Sequence, residues 1–138
     1  LVKELWTKEE ASYSGEHIHF EKSWAWPKPT QQPHPPIVMG GAAGPKTAAH
    51  IAEFCDGWMP LGGLYDMENG LKAIGKACND IGRDPSSIAI SMFYAMGFDA
   101  DAMKAHAEQG AKRAVLPLPS EGADVVLPLL DDYAKLIN

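Results

Sequence analysis

From Ile37 onward the sequence predicts an α/β fold of parallel (β/α) units, and three observations carry that expectation. Short, mainly apolar runs recur at 37–39, 58–59, 88–93 and 114–118, the first of them continuous, as expected of strands in a parallel sheet buried on both faces. Longer segments between them carry apolar residues three and four apart, the spacing of helices with one buried face. Gly, Pro and Asp punctuate nearly every junction. The order is β, α repeated four times, which is half of an eight-unit TIM-type barrel. The whole chain, 1–138, reads as a single domain with a proline-rich connector at 27–36.

Taken in order, Val2, Leu5 and Trp6 are spaced like the end of an amphipathic helix, and a start at Leu1 reads as a piece of something longer. Tyr13-Ser14-Gly15-Glu16 predicts a turn, and His17 to Phe20 a short half-exposed strand. Pro27, Pro29, Pro33, Pro35 and Pro36 predict an extended surface connector. Ile37-Val38-Met39 is the first strand of the repeat, stopped by Gly40 and Gly41. Pro45 suits the first position of the next helix, where its missing donor is not needed, and Asp56-Gly57 ends that helix. Trp58-Met59 is a short strand closed by Pro60.

Met67, Leu71, Ile74, Cys78 and Ile81 then mark one face of a helix, which Gly82 ends in the left-handed conformation before Asp84-Pro85. Ile88 to Phe93 is the third strand. Asp99 or Asp101 caps a shorter helix carrying Ala102, Met103 and His106 and ended by Gly110. Ala114 to Leu118 is the fourth strand, with Pro117 at its end. Leu129, Leu130, Tyr133, Leu136 and Ile137 form the closing helix, with Pro128 in its first turn.

Composition bounds the function. The chain has 138 residues, 46% of them apolar, and a net charge of -6, with its 12 basic residues scattered; this predicts no nucleic-acid partner. No apolar run approaches the roughly 18 residues of a membrane span, so no membrane association is expected. Cys55 and Cys78 both fall on apolar sides of predicted helices and read as buried thiols, which suits a reducing, cytoplasmic compartment. The five histidines are dispersed and form no recognised metal-ligand spacing, so no metal site is predicted. GxGxxG, Walker and GxSxG patterns are absent.

The candidate site is the loop after the first repeat strand. Gly40 and Gly41 end a barrel-type strand on the side where βα loops build active sites, and their missing side chains permit close approach of a ring or a phosphate. The backbone donors of Ala42, Ala43 and Gly44, at a helix start, suit an anion, with Lys46 adding charge. The same glycines also suit a plain tight turn. Trp58 reads either as a wall of the pocket or as core. Met92, Phe93, Tyr94, Leu116 and Pro117 occupy the corresponding strand ends as apolar lining. Asp56 suits local backbone hydrogen bonding, and no catalytic residue is assigned.

PPIVMGG at 35–41, the Gly44-Pro45-Lys46 helix start and Asp56-Gly57-Trp58 resemble the C-terminal half of the bacterial luciferase-like monooxygenase family, in particular its coenzyme F420-dependent members. Leu5-Trp6-Thr7, Tyr13-Ser14-Gly15-Glu16, the proline connector, Gly82-Arg83-Asp84-Pro85 and Gly110 to Leu118 extend the resemblance over essentially the whole chain. It implies a TIM-type barrel with FMN or coenzyme F420 across the C-terminal strand ends, in an oxidoreductase or monooxygenase acting on a small-molecule substrate. The family's first half, with its usual acid/base residues, is not in this sequence.

The open end strands of four units require either that missing N-terminal half or a homodimer. A non-catalytic half-barrel that self-associates is therefore the alternative to a redox enzyme. A small-molecule-binding α/β domain of another kind is a third reading, resting on fold alone.

Overall fold

The computed structural model of the protein describes residues 1–97 and 99–136. The chain divides into two compact units, Leu1–Pro36 and the remainder from Ile37.

In the first unit, α1 (Val2–Thr7) precedes an antiparallel hairpin of β1 (Ala11–Ser14) and β2 (His19–Ser23). Tyr13 and Ser14, expected in a turn, belong to β1. The turn is narrower, and the second strand starts two residues later than expected. Cross-strand stacking of Tyr13 on Phe20, with ring centroids 6.4 Å apart, accounts for the shift, because the pair draws both residues into the ladder. No helix or strand occurs from Trp24 to Ile37. Lys28 nonetheless ties the connector back to α1: its Nζ donates to the carbonyls of Leu5 (2.8 Å) and Lys8 (2.5 Å), which lie at the helix C-terminus.

In the second unit, four strands pair in parallel and in chain order: β3 (Val38–Gly40), β4 (Gly57–Met59), β5 (Ala89–Phe93) and β6 (Arg113–Val115). Between and after them come α2 (Pro45–Phe54), α3 (Met67–Asp80), α4 (Ala100–Glu108) and α5 (Ala123–Ala134). The predicted β/α order is the observed one. A four-stranded open sheet with consecutive strands adjacent has the connectivity of part of a (β/α) barrel.

Register fixes the faces of the sheet. Met39, Trp58 and Ile90 are level and point to the helical side, where Ile51, Ala52, Ile74, Cys78 and Met92 complete the core. Val38, Gly57 and Ala89 are level on the other side. β3 was expected to be buried on both faces, but Val38 is 42% exposed because β3 is an edge strand and no described helix packs over that face.

Helix ends follow local chemistry. Asp66 caps α3 and Asp99, not Asp101, caps α4. Gly82 and Gly110 take positive φ just beyond α3 and α4. Ile81, expected on the buried face of α3, is its exposed C-cap. The last two elements depart further from expectation. β6 begins at Arg113 and ends at Val115, since its ladder spans only the partners Ser91, Met92 and Phe93 of β5. α5 begins at Ala123, so Pro128 lies inside it, at the sixth residue rather than in the first turn, and removes one rung of the helical ladder. Leu136 follows that helix in a turn, and Ile137 lies outside the described residues.

Candidate cofactor groove at the strand ends

The loop after β3 is fixed from three directions. At the base of the strand, Asp56 Oδ2 accepts the Ile37 N–H (2.7 Å), while the Ile37 carbonyl accepts the N–H groups of Asp56 (2.7 Å) and Gly57 (3.2 Å). Asp56, expected to bond locally, thus clamps the start of β3 to the start of β4. At the top, Gly41 has φ 94°, a left-handed backbone in which a side chain is strained. Its carbonyl accepts the Trp58 indole N–H at 2.8 Å.

Trp58 itself is fully buried. Its ring tip lies over Gly70 of α3, where an added Cβ would come within 2.3 Å of the ring. One residue of β4 therefore joins the loop after β3 to the helix after β4. Arg83, named from sequence only as part of the Gly82-Arg83-Asp84-Pro85 match, braces the same helix pair: its Nη1 donates to the carbonyls of Ile51 (3.3 Å) and Ala52 (2.9 Å) in the last turn of α2.

These constraints leave a groove of about 220 Å³ at the C-terminal end of the sheet. Ala42, Ala43 and Gly44 form one wall; Leu64, Tyr65, Asp66, Asn69 and Gly70 form the other. Gly44 is the N-cap of α2 and supplies no side-chain cap, and a Cβ added there would meet nothing within 4 Å. Pro45 has no N–H, and the first bond of the helical ladder is Ala48 N–H to the Gly44 carbonyl (2.8 Å). The N–H groups of Lys46 and Thr47 therefore precede the ladder, at the positive end of the helix dipole.

Such a start, opening on a groove and with an exposed Lys46 in its first turn, has the donor chemistry of an oxyanion cradle. The second helix start in the groove is already satisfied. Asp66 accepts from the Asn69 N–H (3.0 Å) and Nδ2 (2.7 Å), and the Asn69 backbone bond holds its carboxyl below the usual aspartate range.

Of the sequence-predicted positions, Ala42, Ala43 and Gly44 line the groove, and Gly40 and Gly41 lead into it. Trp58 holds the loop from the core side. Tyr94, at the end of β5, is buried, and burial pushes its phenol up; its hydroxyl lies 2.8 Å from His106 Nδ1 of α4. Among the described residues no three His, Cys, Asp or Glu side chains gather as a metal cluster, and no helix is long and apolar enough to cross a membrane.

Comparison with known proteins places these features in a family. Residues 1–131 match the family model described as luciferase-like monooxygenase. An uncharacterized protein of Mycobacterium tuberculosis is 34% identical over 125 residues, which cover 89% of this chain and 43% of that protein; an uncharacterized protein of Mycobacterium bovis matches equally. A 25% identical stretch of 107 residues, 76% of this chain and 29% of the relative, matches an F420-dependent hydroxymycolic acid dehydrogenase of Mycobacterium tuberculosis.

Among solved structures, the monooxygenase RslO1 from Streptomyces bottropensis superposes with a TM-score of 0.52 at 22% identity, over 98% of this chain and 41% of that one. At that identity the likeness concerns the fold. The chain thus spans less than half the length of these relatives.

Proposed function

Because this chain belongs to the luciferase-like monooxygenase family, we propose that it is the cofactor-holding half of a flavin- or deazaflavin-dependent oxidoreductase. In this reading the loop after β3 takes the phosphate of FMN or coenzyme F420, and the substrate is a small molecule. The observation that carries it is the start of α2, where Gly44 lines the groove and no side chain caps the helix. The F420-dependent relative supports the deazaflavin arm. A cytoplasmic setting belongs to the same proposal and suits two buried thiols.

Once bound, either cofactor would supply the redox chemistry, as an acceptor or donor of hydride. The chain's own part is narrower. Backbone N–H groups of Lys46 and Thr47, with the Lys46 ammonium, hold the oxyanion. Gly41 and Gly44 keep side chains out of its way. Trp58 fixes the Gly41 loop that leads to these donors, so the cradle needs little reorganisation on binding.

The test is a fluorescence titration of FMN and of coenzyme F420 with the purified chain and with Gly44→Leu. Gly44 has φ -67° and ψ 171°, so leucine enters without backbone strain and projects into open space. Saturable binding weakened at least about tenfold in a folded Gly44→Leu protein is the expected result, equivalent to about 1.4 kcal/mol. Equal affinity in the two proteins would move the cofactor elsewhere, and no binding of either cofactor would remove it from this chain.

A further inference from the structure

A second groove lies at the other end of the same strands. Its floor is Ile74 of α3 with Ile88 and Ile90 at the entry to β5, all buried, and Leu71 and Gly75 of α3 form one side. Lys112, just before β6, stands on its rim. The groove measures about 360 Å³ and lies on the helix-covered side of the sheet, between α3 and the connection from α4 to β6. Its walls all belong to β/α units present in this chain.

Two observations set this groove apart from a packing gap. The first is Gly75. Packing demands the glycine at position 70 of the same helix, where a Cβ would come within 2.3 Å of the Trp58 ring, but a Cβ added at Gly75 would meet nothing within 4 Å. Glycine weakens a helix interior, and no neighbour requires it here; what its missing side chain leaves is the groove.

The second is the polar inventory of the lining. The hydroxyls of Ser86 and Ser87 are spent within their own turn, donating to Asp84 Oδ2 (2.6 Å) and to the Asp84 carbonyl (2.7 Å). The Lys112 N–H donates to the Ile90 carbonyl (3.0 Å), which pins that backbone at the rim. Lys112 is exposed, and its ammonium has no hydrogen bond or ion pair among the described residues. An apolar slot thus carries one unspent cation.

We propose that this groove binds an amphipathic monocarboxylate, its alkyl chain lying on Ile74, Ile88 and Ile90 and its carboxylate paired with Lys112. An apolar lining with a few placed polar groups is the make-up of small-molecule sites. Volume sets the length: at about 30 Å³ per water-sized unit, the groove takes roughly a dozen non-hydrogen atoms, or a carboxylate on a chain of about eight to ten carbons. Charge sets the class. One carboxylate matches one lysine, whereas a phosphate or dicarboxylate head would leave a charge unpaired against an apolar rim. The site shares no residue with the groove at the C-terminal strand ends and does not rest on cofactor binding.

The experiment is a ligand-observed NMR titration of the whole chain with octanoate and with octanol, in the absence of flavin and deazaflavin. Saturable octanoate binding with a Kd of about 1 mM or tighter is expected, with octanol at least about threefold weaker because it lacks the charge. Gly75→Leu places a side chain in the groove and favours the helix, so octanoate affinity falls at least about tenfold in a folded protein. Lys112→Met keeps an apolar stem at an exposed position and removes the charge; octanoate then binds no better than octanol, whose own affinity is unchanged.

Absence of saturable octanoate binding, or equal affinity in a folded Gly75→Leu chain, would overturn the groove as the site. Octanol binding as tightly as octanoate, or a Lys112→Met chain that still prefers octanoate, would overturn the carboxylate. Circular dichroism and the urea midpoint report the folding of both variants.

Discussion

The first two β/α units and the last two are written in the same sequence pattern, yet they end in different physical states. α2 buries Ala48, Ile51 and Ala52, and α3 buries Met67, Gly70, Ile74 and Cys78, each helix against the other and against Trp58. α4 and α5 bury no residue, and α5 leaves Val125, Leu127 and Leu130 between 41% and 58% exposed. An apolar stripe on a helix records the intention to pack. Burial also requires a close neighbour along the whole face: the first pair packs on itself, whereas α4 meets the core through Met103 and His106 and α5 reaches back through Tyr133 to the Pro117 carbonyl. The candidate groove sits on that packed pair, which is where a rigid cradle is needed.

The largest effect expected from this contrast lies at Trp58. Replacing it with alanine removes the largest fully buried side chain and costs about 3–5 kcal/mol, read as a fall in the urea midpoint. Trp58→Phe separates packing from loop control. It keeps most of the apolar bulk and loses the donor to Gly41, with a cost of about 1 kcal/mol. If the loop is held by that bond, Trp58→Phe weakens cofactor binding by more than its modest stability loss implies. Unchanged affinity would show that the loop holds its shape unaided.

A smaller effect is expected at Asp66, the cap of α3. Asp66→Ala should lower Tm by about 2–6 °C, while Asp66→Asn, which retains an acceptor, should lower it less. The sign with pH follows from the carboxyl being held below the usual aspartate range, first by the Asn69 backbone N–H. Its charged form is favoured by folding. That contribution is complete above the ordinary aspartate pKa and fades as pH falls through the lowered value. The gap between the protein and Asp66→Asn should therefore narrow as the pH is lowered through the ordinary aspartate pKa of about 4 and below it; a gap that widens in acid would contradict the capping role.

How much of this was legible in the sequence divides along the same line. The β/α order, the Gly41 loop and the end of α3 at Gly82 are decided by residues within a few positions of each other, and periodicity and turn chemistry reveal them; the Asp66 cap, equally local, was passed over. The bonds that shape the groove join distant residues: Ile37 to Asp56, Gly41 to Trp58, Ile51 and Ala52 to Arg83. No local pattern marks those partners. Trp58 was legible as core or pocket wall, but its role as a peg between the loop and α3 depends on Gly70 lying beneath its ring. Pro128 misled for a physical reason: proline is favoured in a first turn, yet an exposed helix also accommodates it further along when the lost rung faces solvent.

The smallest expected effect is the most discriminating. Leu127 is 58% exposed on α5, so Leu127→Ser should leave the stability of a single chain within about 0.5 kcal/mol, whereas a comparable apolar-to-polar change at the fully buried Ile51 would be severe. Where another chain packs on α5, its exposed apolar residues Val125, Leu127 and Leu130 gain a neighbour. Leu127→Ser would then lower the urea midpoint at high protein concentration and not at low, because only the associated state loses a contact. A midpoint insensitive to concentration in both proteins would mean that the last two units remain unclothed, and that the contrast between the halves belongs to the isolated chain itself.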